Sequence, residues 1–161
     1  MTNNIKVILL DVDGVLTNGQ KTYHEDGTIS KIFSVYDGKG IQLAQRAGIK
    51  FAILTADPWP IKKRAKDLNI RDVFTKCHDK VSLAQSYINV PSRNVVWENV
   101  CFIGDDVNDI ELLELVGFPA TVYNAMPKVK QIVQERDGYI SQRSGGDGAV
   151  REIIDLILES K

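Results

Sequence analysis

The sequence predicts an α/β protein, a parallel sheet with helices packed on both of its faces. Three observations predict it. Short unbroken apolar runs at residues 7–10, 51–54 and 100–103 alternate with stretches of helical periodicity, and strands buried on both faces read as such runs. Each run stops at polar groups: Asp11 after the first, Thr55 and Asp57 after the second, Asp105 after the third. The intervals between the runs are long enough for the crossover connections that parallel strands require.

Taken in order, Val7, Ile8, Leu9 and Leu10 make the first strand. Asp11 and Asp13 follow two residues apart, where an extended backbone aims both side chains to one side, and Gly14 lets the chain turn sharply. Two carboxylates this close repel unless a cation lies between them, so a divalent metal is the expected companion. A simple strand and turn cap is the alternative. A calcium loop of the EF-hand type is excluded, because Gly14 is the fourth residue rather than the sixth and the preceding run is strand-like.

A small β-hairpin insertion follows over about residues 19–35, with its turn at Asp26-Gly27 and Ile29, Ile32, Phe33 and Val35 on its return. Residues 38–47 read as a helix closed by Gly48. The strand at 51–54 leads through Thr55 and Asp57 to Pro58 and Pro60, which suit the first turn of a helix running to about Asn69. Val73-Phe74 is a short strand and 81–88 a helix. Lys80 stands at that helix's entrance, the end where the dipole disfavours a cation, so it needs another reason to be there. The strand at 100–103 ends in Gly104-Asp105-Asp106-Val107-Asn108-Asp109. Asn108 with Glu111 reads as a capping box for a helix over 110–116, which leaves Asp105, Asp106 and Asp109 unexplained. A strand at 120–123, a helix at 128–135, a short strand at 139–140 and an amphipathic helix over 147–158 complete the chain.

A length of 161 residues suits a single domain spanning 1–161, with a real core and no room for a large cap. The hydrophobic fraction of 43%, charged fraction of 25% and net charge of -1 describe an ordinary globular protein. Such a near-neutral balance argues against duplex nucleic acid as a partner. The apolar run after Lys6 is too short for a signal peptide or a membrane span, so a cytoplasmic protein without a membrane partner is expected. Cys77, Cys101, His24 and His78 lack the paired spacing of a zinc site.

In sheets of this kind ligands bind outside the carboxyl ends of the strands. Asp11, Asp13, Thr55 and Asp105 lie there, and Lys80 can join them from a loop on the same edge. These residues form a coherent set for phosphoryl transfer. Asp11 is the candidate nucleophile, carrying an aspartyl phosphate, and Asp13 the acid that protonates the leaving oxygen and then takes a proton from water. Mg2+ held by Asp11, the backbone carbonyl of Asp13 and Asp105 suits the oxygen donors. Thr55 and Lys80 would hold the non-bridging oxygens.

The order and spacing of Asp11-Val12-Asp13-Gly14, Thr55, Lys80 and the run 104–109 closely resemble the four motifs of the haloacid dehalogenase (HAD) superfamily of aspartyl phosphatases, across essentially the whole chain. The resemblance implies a Rossmann-like HAD fold. Residues 11–19, 36–41 and 144–152 further resemble a small capless branch that contains phosphatases of 3-deoxy-manno-octulosonate 8-phosphate (KDO 8-phosphate) and of nonulosonate 9-phosphates. That branch implies a magnesium-dependent phosphatase of a sugar-acid phosphate, in lipopolysaccharide or sialic acid synthesis. It also implies a homotetramer in which hairpins pair around a central barrel and the tail, about 141–161, reaches a neighbour's active site. A plain flexible connector at residues 145–148 is the alternative for the tail. Arg151 matches the branch's tail motif and is the expected contact for an anionic substrate, ahead of Arg143.

Where the branch usually follows the Thr with Gly and then Arg or Glu, this chain has Ala56 and Asp57. The third position faces the substrate in the family, so Asp57 is a substrate-binding candidate and an acidic residue there resembles the nonulosonate phosphatases; Asp57 is also a plausible helix cap. Trp97-Glu98-Asn99-Val100 resembles the phosphatase-like domain appended to some CMP-sialate synthetases, which makes an assembly or binding module the alternative function. Those domains lose motif carboxylates that this chain retains. A phosphomutase would need a cap between Asp13 and Thr55, where only the hairpin fits.

Overall fold

The computed structural model describes residues 2–160. Six strands, β1 (Val7–Leu10), β4 (Lys50–Leu54), β5 (Asp72–Phe74), β6 (Val100–Ile103), β7 (Phe118–Thr121) and β8 (Tyr139–Ile140), form one sheet in the order β5-β4-β1-β6-β7-β8. Every pairing in it is parallel. β2 (Thr22–Tyr23) and β3 (Ile29–Ser30) form the separate antiparallel hairpin. The sheet is wound outward in both directions from β1, where Val7 pairs with Lys50 on one side and Val100 on the other. The strand order therefore reverses at β1, and the crevice above its carboxyl end is where such sheets hold ligands.

The helices are α1 (Val35–Arg46), α2 (Ile61–Asp67), α3 (Lys80–Ile88), α4 (Ile110–Leu115), α5 (Pro127–Glu135) and α6 (Ala149–Glu159). Right-handed crossovers send the chain over opposite faces when it moves in opposite directions along the sheet. The step from β1 to β4 thus places α1 on one face, where α6 packs against it, and the step from β6 to β7 places α4 on the other, touching α3 and α5. β1 and β6 are buried along their whole length, which is why both read as uninterrupted apolar runs.

The structure corrects three sequence readings. The hairpin strands are two residues each, and Val35 opens α1 instead of closing the hairpin. Ser34 is the cap, its hydroxyl accepting the Tyr36 N–H at 3.2 Å, and Asp37 in the first turn suits the helix dipole. α1 therefore begins three residues before the predicted Gly38, since glycines at 38 and 40 lowered the apparent helix signal. The predicted strand at 120–123 lies two residues earlier, with Pro119 inside it. The capping box assigned to Asn108 and Glu111 is not formed. Asp106 and Asp109 cap a short 3-10 turn over Val107–Asp109 instead, Asp109 taking the N–H groups of Asp105 and Asp106 at 2.9 and 3.2 Å. No cap domain lies between Asp13 and Thr55; the hairpin is the whole insertion.

Candidate active site

The carboxyl ends of β1, β4 and β6 bring Asp11, Asp13, Thr55, Ala56, Asp105 and Asp106 around one cavity of about 550 Å³, which Asn124 and Met126 also line. Asp11 is one residue past β1 and nearly fully buried. Lys80 reaches it from the first residue of α3, whose N-cap Asp79 accepts the Ser82 N–H and hydroxyl at 2.9 and 2.7 Å. The Lys80 ammonium lies 2.9 Å from Asp11 Oδ1 and 2.5 Å from Asp109 Oδ1, and its side chain is 3% exposed. The cation at the unfavourable helix end is thus explained by two buried carboxylates.

Asp11, Asp105 and Asp109 each offer an oxygen within 4.8 Å of the others. Burial, opposed by Lys80 and aided by Asp109, pushes the Asp11 carboxyl up to about 6. Burial together with Asp11, Asp109 and Asp106 pushes Asp105 up to about 8. Burial works against the Lys80 ammonium, but Asp11 and Asp109 outweigh it and hold Lys80 above its ordinary value. One ammonium does not neutralise three carboxylates, and Asp105 Oδ1 is buried with no hydrogen-bond partner. That donor set fits a hard divalent cation.

Thr55 is buried, its hydroxyl 3.3 Å from the Asp57 N–H that it accepts. Ala56 is absent from the residues of positive φ, so the turn tolerates a side chain where the family usually has glycine. The Asp57 carboxylate is engaged by Lys21 at 2.6 Å and Lys31 at 3.0 Å. Partial burial opposes its charge, yet the two ammonium donors hold it down at about 2. Asp13 meets Lys31 at 2.6 Å.

The chain's own tail braces the loop that carries Asp13. Asn124 donates to the Gly14 carbonyl at 3.2 Å and accepts the Gly145 N–H at 2.6 Å, while Gly146 N–H donates to the Val15 carbonyl at 3.0 Å. A Cβ on Gly145 would lie 1.7 Å from the Gly14 carbonyl oxygen, so only glycine fits. Residues 145–146 are therefore packed and are not a free connector. Arg151 does not line the Asp11 cavity. It borders a second cavity of about 760 Å³ with Tyr36, Tyr139 and Arg143, and its Nε is held at 2.8 Å by Asp155.

Sequence reasoning singled out Asp11, Asp13, Thr55, Lys80 and Asp105, and the fold brings all five together. It left Asp109 without a role, although a third carboxylate in six residues was the signal. It gave no role to Lys31 or Asn124, whose partners lie 18 and 110 positions away.

Residues 65–148 match the family model of the haloacid dehalogenase-like hydrolases. The 3-deoxy-D-manno-octulosonate 8-phosphate phosphatase KdsC of Haemophilus influenzae is 35% identical over 98% of this chain and 85% of that protein. The Escherichia coli protein of the same name is 33% identical over 96% of this chain and 80% of its own length. The crystal structure of a KDO 8-phosphate phosphatase from Moraxella catarrhalis, in complex with magnesium, phosphate and KDO, superposes with a TM-score of 0.92 at 32% identity, covering 99% of this chain and 89% of that one. A cobalt-bound Haemophilus influenzae phosphatase of this kind gives 0.90 at 34% identity, covering 99% and 90%.

Proposed function

The chain belongs to the haloacid dehalogenase-like hydrolases, in their capless KDO 8-phosphate phosphatase-like branch, and on that premise we propose that it hydrolyses a sugar-acid phosphate through an aspartyl phosphate. It is a phosphoric monoester hydrolase with Mg2+ as cofactor. KDO 8-phosphate is the substrate we favour over a nonulosonate 9-phosphate. The acidic residue at position 57 was the argument for the latter, and here its carboxylate is already engaged by two lysines.

The observation that carries the mechanism is the buried Lys80 fixed between Asp11 and Asp109 beside an unpartnered Asp105 oxygen. Asp11, Asp105 and the Asp13 backbone carbonyl would hold the metal, which supplies charge neutralisation for the phosphoryl oxygens. Asp11 attacks phosphorus, and Lys80 and the Thr55 hydroxyl bind non-bridging oxygens as their charge is redistributed. Asp13 gives a proton to the leaving sugar oxygen and later accepts one from the attacking water. Asp109 keeps Lys80 aimed at Asp11. Retention of the full carboxylate set favours this reading over an assembly or binding module.

We place the protein in the cytoplasm as a single-domain subunit of a homotetramer. Tyr23, Ile32, Val35 and Tyr36 on and beside the hairpin are all more than 60% exposed, an apolar surface that pairing hairpins would cover. Arg151 lies off its own subunit's catalytic cavity, so its contact with the anionic substrate is assigned to a neighbouring subunit's site, and Asp57, held by Lys21 and Lys31, would bear on the substrate only through those lysines. No helix among the described residues is long and apolar enough to cross a membrane. The test is phosphate release with and without Mg2+ from KDO 8-phosphate, nonulosonate 9-phosphates and hexose phosphates. Magnesium-dependent preference for KDO 8-phosphate is expected; a folded protein that releases phosphate from none of them refutes the reading.

A further inference from the structure

Lys31 lies one residue past β3, in an insertion whose other side chains are mostly exposed, yet its own side chain has no solvent exposure. A buried ammonium is costly unless it is paired. Its partners are Asp13 Oδ1 at 2.6 Å and Asp57 Oδ2 at 3.0 Å, and Lys21 on the other hairpin arm reaches the same Asp57 oxygen at 2.6 Å. The four residues form a chain of alternating charge, Asp13, Lys31, Asp57, Lys21, running from the catalytic loop to one hairpin arm, on to the loop after β4 and back to the other arm.

Among the described residues Lys31 is the one side-chain partner of Asp13, whose side chain is 31% exposed at the cavity. A carboxyl that must meet a leaving oxygen has to be held in one orientation, since a misplacement of about 1 Å costs on the order of a hundredfold in rate. Lys31 holds Asp13 Oδ1, a buried oxygen with no hydrogen-bond partner, by charge alone, and the other oxygen is left to face the reacting group. We propose that Lys31 is a positioning residue for Asp13, and that Asp57 serves as the anchor that holds Lys31 in place. This rests on the phosphatase reading above and adds the hairpin to the catalytic apparatus.

The two chemical steps separate this role from simple attachment of the hairpin. In the first, the bond from Asp11 to phosphorus forms as the bond to the sugar oxygen breaks, and that oxygen takes the proton of Asp13. In the second, water oxygen bonds to phosphorus, its proton passes to Asp13, and the bond to Asp11 breaks to release phosphate. A sugar alkoxide needs the proton in the first step; p-nitrophenolate leaves without it. Both substrates need Asp13 in the second step.

Lys31→Met is therefore expected to lower kcat for KDO 8-phosphate by about tenfold to a hundredfold. With p-nitrophenyl phosphate it is expected to give a rapid burst of about one nitrophenolate per site followed by slow turnover. Lys31→Arg restores most of kcat. Should Lys31→Met fail to fold, as read by circular dichroism, Asp57→Asn is expected to give the same burst and a smaller loss of kcat. Equal losses on both substrates without a burst, in either variant, overturn the proposal and leave Lys31 as a hairpin anchor. A folded wild-type protein inactive on both substrates overturns the phosphatase reading, and this inference with it, without reference to any variant.

Discussion

At the scale of single residues, Lys80 shows how magnitude separates one ion pair from another. It is buried between Asp11 and Asp109, whereas Arg151 and Asp155 form an i,i+4 pair on a partly exposed helix face. Removing one member of a buried pair strands the other charge and costs about 3–5 kcal/mol, while an exposed helical pair contributes about 0.3–0.5 kcal/mol. Asp109→Ala should accordingly lower unfolding free energy in urea by several times the loss seen for Asp155→Ala, because it also frees the N–H groups of Asp105 and Asp106. Near-equal losses would mean that Lys80 finds another partner. Asp11→Asn should abolish phosphate release while circular dichroism and urea unfolding still report a folded protein; turnover close to wild type would remove Asp11 from the nucleophile's role. Asp11, Thr55 and Asp105 were legible in the sequence because each follows a strand whose apolar run stops abruptly. Lys31 was not, because the turn pattern of a hairpin says nothing of where its side chains reach.

At the scale of elements, the packing of α1 against α6 decides between two opposing effects. Replacing a helical glycine by alanine gains about 1 kcal/mol in propensity. At Gly40 the added Cβ would lie 2.8 Å from Arg151 Cδ and 3.1 Å from its Cα, and overpacking of that kind costs about 1–3 kcal/mol. Gly40→Ala should therefore lower the melting temperature, with a rise indicating that α6 shifts freely. Asp37 joins the same two helices, accepting the Arg151 N–H at 2.9 Å. Burial pushes its carboxyl up to about 6, against the backbone donors of Arg151 and Gly148 and the charge of Arg64. A carboxyl raised above its unfolded value of 3.8 favours folding when protonated. Its contribution is thus fully present below about 3.8 and lost as pH rises through about 6. Asp37→Asn should flatten the stability profile in that window, measured by urea unfolding from pH 4 to 7.5, and an unchanged slope would assign the pH dependence elsewhere. The strand ends were predicted well for β1, β4 and β6, whose burial on both faces leaves a clear signature. α1 was misjudged at its start because its glycines answer to α6 and α2, contacts that local pattern does not carry.

For the whole molecule, the doubly wound sheet draws its catalytic groups from three strands and one helix onto one edge, and concentrates negative charge there. Burial first, and then the neighbouring carboxylates, raise the Asp11 and Asp105 carboxyls, so the cluster carries its negative charge at a cost. A bound divalent cation relieves it, and a ligand at a hundred times its dissociation constant stabilises the fold by about 2.7 kcal/mol. Mg2+ should raise the melting temperature and a chelator return it to the metal-free value, with the increase lost in Asp105→Asn. A metal-independent melting curve would contradict the cation site.

The contacts of Gly145 and Gly146 with Gly14 and Val15 join the last sixth of the chain to the first tenth. During synthesis the loop that bears Asp13 emerges long before the glycines that brace it. Catalytic competence then waits on those glycines, and a protease that trims α6 together with them would silence an otherwise intact set of carboxylates.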